Sequence, residues 1–442
     1  MADRDVPARG WWRRHAWAIV GVAVAVIVLL GVGVLMLVRS TVKDSKASLY
    51  DGRLVAADYW TQTPEILSAG FGFDGIISTP ADDEQTTIDA GGAWDSALQC
   101  SKDGGPTDAD RSSVVPGSSL DAIVLFEEGA SIASVDGLPV VFSWPIRTDT
   151  LRPSQFRFTM NTGETVAVSA ITMTPNFEYN ERNTVVMFSE LGNRGLPGEA
   201  DARFPVRRDI VPASDGTELT LAGPSGDVPA TGLSFTTDNT PYASGPTLVG
   251  AKLNRIDSPP QGEGSVGLNG QSSMPNDERT LFGDTGDFRL RMLTTGGFSP
   301  DRVRGARPTA HAAFFRIHAT GPDGTDVLID EVGVPVAVEG GTLTVVGISD
   351  LGLVQSDAIP YDDCYIEDRD NYLDIIISGD EAAARSITAL EIPSLDGGYS
   401  AFYNPGGPGQ TPTPGVRYTA PGPARLQPVT IALDHPMRIS RD

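Results

Sequence analysis

The chain has 442 residues, 40% of them hydrophobic, and a formal net charge of −24. Seven of its 33 Lys and Arg and three of its 57 Asp and Glu precede Ala47, so the remaining 26 basic and 54 acidic side chains leave residues 47–442 near −28. That excess of acid argues against nucleic acid as a partner, because duplex binding rests on Lys and Arg neutralising phosphates, and it disfavours anionic membrane surfaces.

Near the N-terminus, 23 residues from Ala16 to Val38 (AWAIVGVAVAVIVLLGVGVLMLV) carry no charge, amide or proline. As a helix they would extend roughly 34 Å at about 1.5 Å per residue, enough to cross a hydrocarbon core of about 30 Å. A cleaved signal peptide expects an apolar core of only about 7–15 residues and a small-x-small site. This run is longer and ends in Val38, Arg39, Ser40, Thr41, Val42 and Lys43. A single-pass transmembrane helix over residues 16–38 is therefore expected, with the lipid bilayer as its partner. Arg4, Arg9, Arg13 and Arg14 precede the span, against Arg39, Lys43 and Lys46 after it. The positive-inside rule then places a cytoplasmic tail at 1–15, a stalk at 39–48 and the C-terminal part outside the cytoplasm.

Beyond the stalk, 49 Gly and 33 Pro in the whole chain exceed ordinary usage of about 12% together, and they punctuate strand-like runs. The fold class expected is mainly β: two or more β-sandwich-like domains with one short helix near residues 379–390. Residues 49–119 read as a turn-rich N-terminal part with few clear strands and a short helix around 64–68. Strand-length apolar runs follow at 122–126, 138–144, 155–160, 165–173 and 184–188, with Asn161-Thr162-Gly163 as a turn. Short strands around 218–221 and 233–236 complete a first domain over 120–245.

The stretch from Val135 onward that contains SWPIRTDTLRPSQFRFTMNTGET resembles bacterial Ig-like β-sandwich modules, over about residues 135–190. That resemblance implies a sandwich and a surface or adhesion context, and it implies no catalytic residues.

Residues 246–278 read as a linker or long loop, centred on DSPPQGEGSVGLNGQSSMPND. The second β-rich domain, 279–442, is expected to hold strands at 288–293, 312–319, 326–329, 335–338, 343–348 and 429–433. Pro322-Asp323-Gly324 predicts a tight turn. Ser378-Gly379-Asp380-Glu381 has capping-box spacing ahead of AAARSITAL and predicts two to three turns of helix.

Two cysteines, Cys100 and Cys364, fall in the exported part. In an oxidising compartment they either form one disulfide or remain as two separate thiols. Asp368, Asp370 and Asp374 have D-x-D-x3-D spacing on a loop entering a strand. No cofactor is required by any motif, and Ca²⁺, which takes six to eight oxygens, is the ion such a loop could hold. The Gly and terminal Glu of an EF-hand are missing, so a solvated acidic loop is the first reading. Glu178, Glu181 and Arg182 form a second polar cluster, which could flank a sugar or be an inter-strand loop with surface ion pairs. His311 and His318 lie seven apart on an expected strand, on opposite faces and so unable to share a metal. His311, on the face of Ala313, Phe315 and Ile317, is expected to be partly buried and satisfied. No G-x-S-x-G, P-loop or dinucleotide fingerprint is present.

These features predict a binding or structural protein of the cell envelope or surface, with an unknown extracytoplasmic ligand or protein as partner. The alternative is a hydrolase of carbohydrate or another envelope polymer, working through paired carboxylates.

Overall fold

Apolar and polar side chains alternate over Phe156, Arg157, Phe158, Thr159 and Met160, and the resulting strand buries its three apolar members while Arg157 stays exposed. The computed structural model describes residues 54–69, 78–79, 83–89, 94–101, 104–112, 115–116, 136–173, 182–192, 198–237, 247–256, 282, 285–295, 309–349, 372–393 and 424–441. The protein is mainly β. Its first strands are β1 (Leu54–Asp58), β2 (Ile66–Ser68), β3 (Ser78–Thr79), β4 (Trp94–Ser101), β5 (Gly104–Ser112), β6 (Val115–Pro116) and β7 (Asp136–Phe142). There follow β8 (Phe156–Met160), β9 (Thr165–Ala167), β10 (Ala170–Thr172), β11 (Thr184–Ser189), β12 (Pro205–Ile210), β13 (Thr220–Gly223), β14 (Gly226–Pro229) and β15 (Ser234–Thr236). The second half holds β16 (Leu248–Arg255), β17 (Phe288–Thr294), β18 (Arg316–Thr320), β19 (Asp326–Ile329), β20 (Val336–Val338) and β21 (Gly341–Ser349). It ends with β22 (Tyr372–Gly379), β23 (Ile387–Ile392), β24 (Arg425–Pro428), β25 (Thr430–Ile431) and β26 (Arg438–Arg441). The α-helices described are short, α1 (Glu84–Asp89), α2 (His311–Phe314) and α3 (Glu381–Ala384), and two 3-10 turns lie at Thr148–Thr150 and Pro153–Gln155.

Among the described residues the first half holds two four-stranded sheets, β10-β11-β7-β2 and β15-β12-β8-β9, and the two-stranded pairs β3-β6, β4-β5 and β13-β14. A six-stranded sheet, β20-β21-β22-β17-β16-β25, and a four-stranded one, β19-β18-β23-β24, make up the second. The two sheets of the second half share one hydrophobic core. Leu253, Leu290, Met292, Val345, Ile375 and Ile377 come from the larger sheet, and Phe315, Ile317, Ile329, Leu390 and Ile392 from the smaller one and its entry. The first and last strands, β1 and β26, pair antiparallel and bring the two ends of the described chain together.

Both turns expected from mechanism are present. Asn161-Thr162-Gly163 links β8 to β9, with Gly163 at φ +83°. Between β18 and β19, Asp323 Oδ1 accepts from the Thr325 amide at 3.1 Å and Gly324 takes φ +81°.

Several expectations are corrected. The 165–173 run is two strands in different sheets, β9 and β10. Residues 66–68, expected as part of a short helix, form β2, whose Ile66 and Ser68 are buried against β7. The 246–278 stretch opens with β16, an inner strand of the six-stranded sheet, because Leu248, Ala251 and Leu253 face the shared core. The 312–319 run begins as the single turn α2 and becomes β18 only at Arg316. The helix near 379–390 is one turn, α3, followed by β23. Asp380 makes no cap there; its Oδ2 accepts from the Thr342 amide at 3.2 Å, while burial of Ile387, Leu390 and Ile392 draws the following residues into a strand. The expected membrane helix, 16–38, with its tail and stalk, lies outside the described residues, as do 122–126 and 257–277. Among the described residues no helix is long and apolar enough to cross a membrane.

Candidate functional site

Strand β17 reads Phe-Arg-Leu-Arg-Met-Leu-Thr, so Phe288, Leu290 and Met292 point into the shared core and Arg289 and Arg291 point out of the opposite face. On a two-layer protein that face would meet water. Here it is covered. Register places Lys252 of β16 beside Arg291, Arg291 beside Asp374 of β22, and Asn254 beside Arg289. Asp58 of β1 joins this face, and the five charged residues Asp58, Lys252, Arg289, Arg291 and Asp374 are all between 0% and 4% exposed.

Their geometry is that of a closed ion network. Lys252 Nζ donates to Asp58 Oδ1 and to the Met437 carbonyl at 3.1 Å. Arg291 Nη1 donates to Asp58 Oδ2 at 2.7 Å. Its Nε and Nη2 donate to the two oxygens of Asp374 at 2.8 and 2.7 Å, a bidentate fork. Arg289 Nη1 lies 3.8 Å from Asp374 Oδ2, and Arg438 Nε lies 3.5 Å from Asp58 Oδ1. Trp60 caps the group, with Lys252 Nζ 5.0 Å from its ring centroid. Gly250 makes this approach possible, since a Cβ there would stand 2.6 Å from Trp60 Cε3.

Burial alone would raise the Asp58 carboxyl, but the Lys252 ammonium and the Arg291 and Arg289 guanidiniums outweigh it and hold the group below the ordinary carboxylate range. Burial, helped by Arg291 and Arg289, holds the Lys252 ammonium below its ordinary range, and Asp58 offsets only part of this. A carboxyl held in this way stays ionised and keeps its partners.

Beside the ion network the two halves of the protein meet. Trp60, Val141, Leu293 and Tyr372 form a small apolar cluster. Tyr372 Oη donates to Asn183 Oδ1, and Asn183 Nδ2 donates to the Phe142 carbonyl at 2.8 Å.

The residues singled out from sequence are distributed differently from expectation. Asp374 lies on β22 and faces Arg291, with both oxygens accepting from its guanidinium. Asp368, Asp370 and Cys364 lie outside the described residues; Cys100 falls on β4. Among the described residues no three His, Cys, Asp or Glu side chains converge on a point where a metal could sit. In the Glu178–Asn183 cluster, Glu178 and Glu181 lie outside the described residues, and Arg182 and Asn183 are buried instead of forming a surface loop. His318 Nδ1 and Nε2 lie 2.9 Å from Asp326 Oδ2 and 3.0 Å from Glu391 Oε2, so its ring is held between two carboxylates. His311 is fully buried rather than partly so, and its Nδ1 has no hydrogen-bond partner. Lys252, Asp58, Arg289 and Arg291 were legible from sequence only as ordinary surface charges. One signal existed, because Lys252 is one of only two lysines after residue 46 and sits in an apolar strand.

Comparison with protein-family models, with the curated proteins and with the solved structures returns no match for this chain.

Proposed function

We propose that this chain is a membrane-anchored protein whose extracytoplasmic β-domains, sandwich-like in architecture, bind or scaffold a partner at the cell envelope or surface. The observation that carries this reading is the engagement of the central charges. Asp58 and Asp374 brace β1, β16, β17 and β22 through Lys252, Arg291 and Arg289. A general acid or base must change protonation state near the working pH, whereas Lys252, Arg291 and Arg289 hold the Asp58 carboxyl below the ordinary carboxylate range. The apolar run 16–38 supports anchoring, and the resemblance of residues 135–190 to Ig-like modules supports a surface setting.

The test uses the purified full chain in detergent micelles, incubated with envelope polysaccharide and peptidoglycan. Retention of the chain on one of these polymers without release of reducing ends is expected. Turnover that disappears in Glu178→Gln or Glu181→Gln, with the circular dichroism unchanged, would overturn the reading in favour of a hydrolase.

A further inference from the structure

The α2 turn stands at the entrance to β18, where Ala310, Phe314 and Phe315 pack on the core shared by the two sheets of the second half. Its first residue, His311, is turned inward and fully buried. The imidazole Nε2 lies 3.3 Å from the Ile329 carbonyl at the end of β19, and the ring rests on Phe315 with centroids 6.2 Å apart. In the neutral tautomer that donates from Nε2, Nδ1 is a bare lone pair, which matches its burial without a hydrogen-bond partner. A proton on Nδ1 would create a buried cation with no acceptor on that side. Such a group is costly enough that the local structure yields first.

We propose that His311 is an acid-released latch: α2 and the adjoining end of β19 close the core while the imidazole is neutral, and protonation drives them out into water. The charged group that acts on the ring is Asp330, immediately after β19, which favours the protonated form; the Ile329 carbonyl does so as well, and the Phe315 ring carries no charge. Burial outweighs these, and the imidazole is pushed down from 6.5 to about 4. The sign follows directly. The opened state takes up a proton more readily than the closed one, so the closed state is fully favoured above pH 6.5 and loses ground as the pH falls toward 4. From the two values, opening at pH 5 is favoured about 30-fold over opening at pH 8. Opening would expose Phe315 and Ile329, apolar surface hidden at neutral pH. An extracytoplasmic domain meets the ambient pH directly, so this device would let acidity control what the domain binds. In that respect it rests on the proposed location, but the latch itself does not.

Hydrogen–deuterium exchange on the full chain in detergent micelles, at pH 8 and pH 5 with exchange times scaled for the intrinsic rate, tests the latch. Protection over residues 309–332 should fall about 30-fold at pH 5, while β16, β17 and β22 keep theirs. In His311→Gln, which can still donate to Ile329 but cannot take up the proton, the difference should vanish. Unchanged protection at 309–332, an equal loss across the whole domain, or the same loss in His311→Gln would each overturn the proposal. If His311→Gln does not fold, the imidazole resonances of the unaltered chain decide. A midpoint well below 6.5 for His311 is expected, and an ordinary midpoint contradicts the latch.

Discussion

Asp58→Asn keeps the size of the side chain and removes its charge at the centre of the buried network. Lys252 Nζ and Arg291 Nη1 both donate to this carboxylate, and Arg438 lies 3.5 Å away. Removing one partner from a buried ion pair leaves an uncompensated charge, which costs about 3–5 kcal/mol. Set against a typical stability of about 5–15 kcal/mol, that loss would be visible in any unfolding curve. Lys252→Met should cost a comparable amount, because it leaves Asp58 with one close partner fewer. The double variant should recover a large part of the loss, since replacing a whole buried pair by neutral groups is often close to neutral. Urea unfolding followed by circular dichroism, arranged as a double-mutant cycle, measures this. A coupling energy below about 0.5 kcal/mol, the level at which independent sites simply add, would refute the network account. The pH dependence has a defined sign. The Asp58 carboxyl is lower in the folded state than its unfolded value near 3.8, so its contribution is complete above that value and is lost as the pH falls below it. Asp58→Asn should therefore flatten the acid limb of the stability curve below about pH 4.

Three further outcomes are expected. Tyr372→Phe removes the donor to Asn183 Oδ1 at the junction of the two halves and should cost about 1–3 kcal/mol in the same unfolding assay, the penalty for an orphaned buried acceptor; no change would mean that the contact contributes nothing. Gly250→Ala places a methyl 2.6 Å from the Trp60 ring and should destabilise by about 1–3 kcal/mol through overpacking, with a red shift in Trp fluorescence as its local signature. Asp374→Asn should lower the melting temperature equally in calcium and in chelator, because its oxygens are held by Arg291. A loss seen only in calcium would place Asp374 in a metal site.

Two strands with one apolar and one polar face are legible in the sequence, whereas β12, Pro205–Ile210, whose burial also alternates over residues 207–210, is not among the strands expected. Phe156-Arg157-Phe158-Thr159-Met160 and Phe288-Arg289-Leu290-Arg291-Met292 became β8 and β17. The turns at Gly163 and Gly324 were readable because their mechanism is local. What covers the polar face of β17 was not readable. Asp58 lies 233 residues from Arg291 and 194 from Lys252, and no pattern of short period connects them. The capping-box signal at Ser378–Glu381 misled for a related reason. It is a local preference worth about 1 kcal/mol, whereas Ile387, Leu390 and Ile392 are strand residues buried in the shared core. The carboxylate of Asp374 is visible in the sequence, but its strand neighbours Arg291 and Ser349 are reached only through pairing.

In the proposed function, residues 16–38 hold the β-domains outside the cytoplasm. Protease treatment of intact cells carrying the full chain, tagged at both ends, tests it most directly. The chain should sediment with membranes after carbonate washing, with the C-terminal tag digested from outside and the N-terminal tag protected. A chain released by the carbonate wash, or a C-terminal tag that survives until the cells are opened, would contradict it.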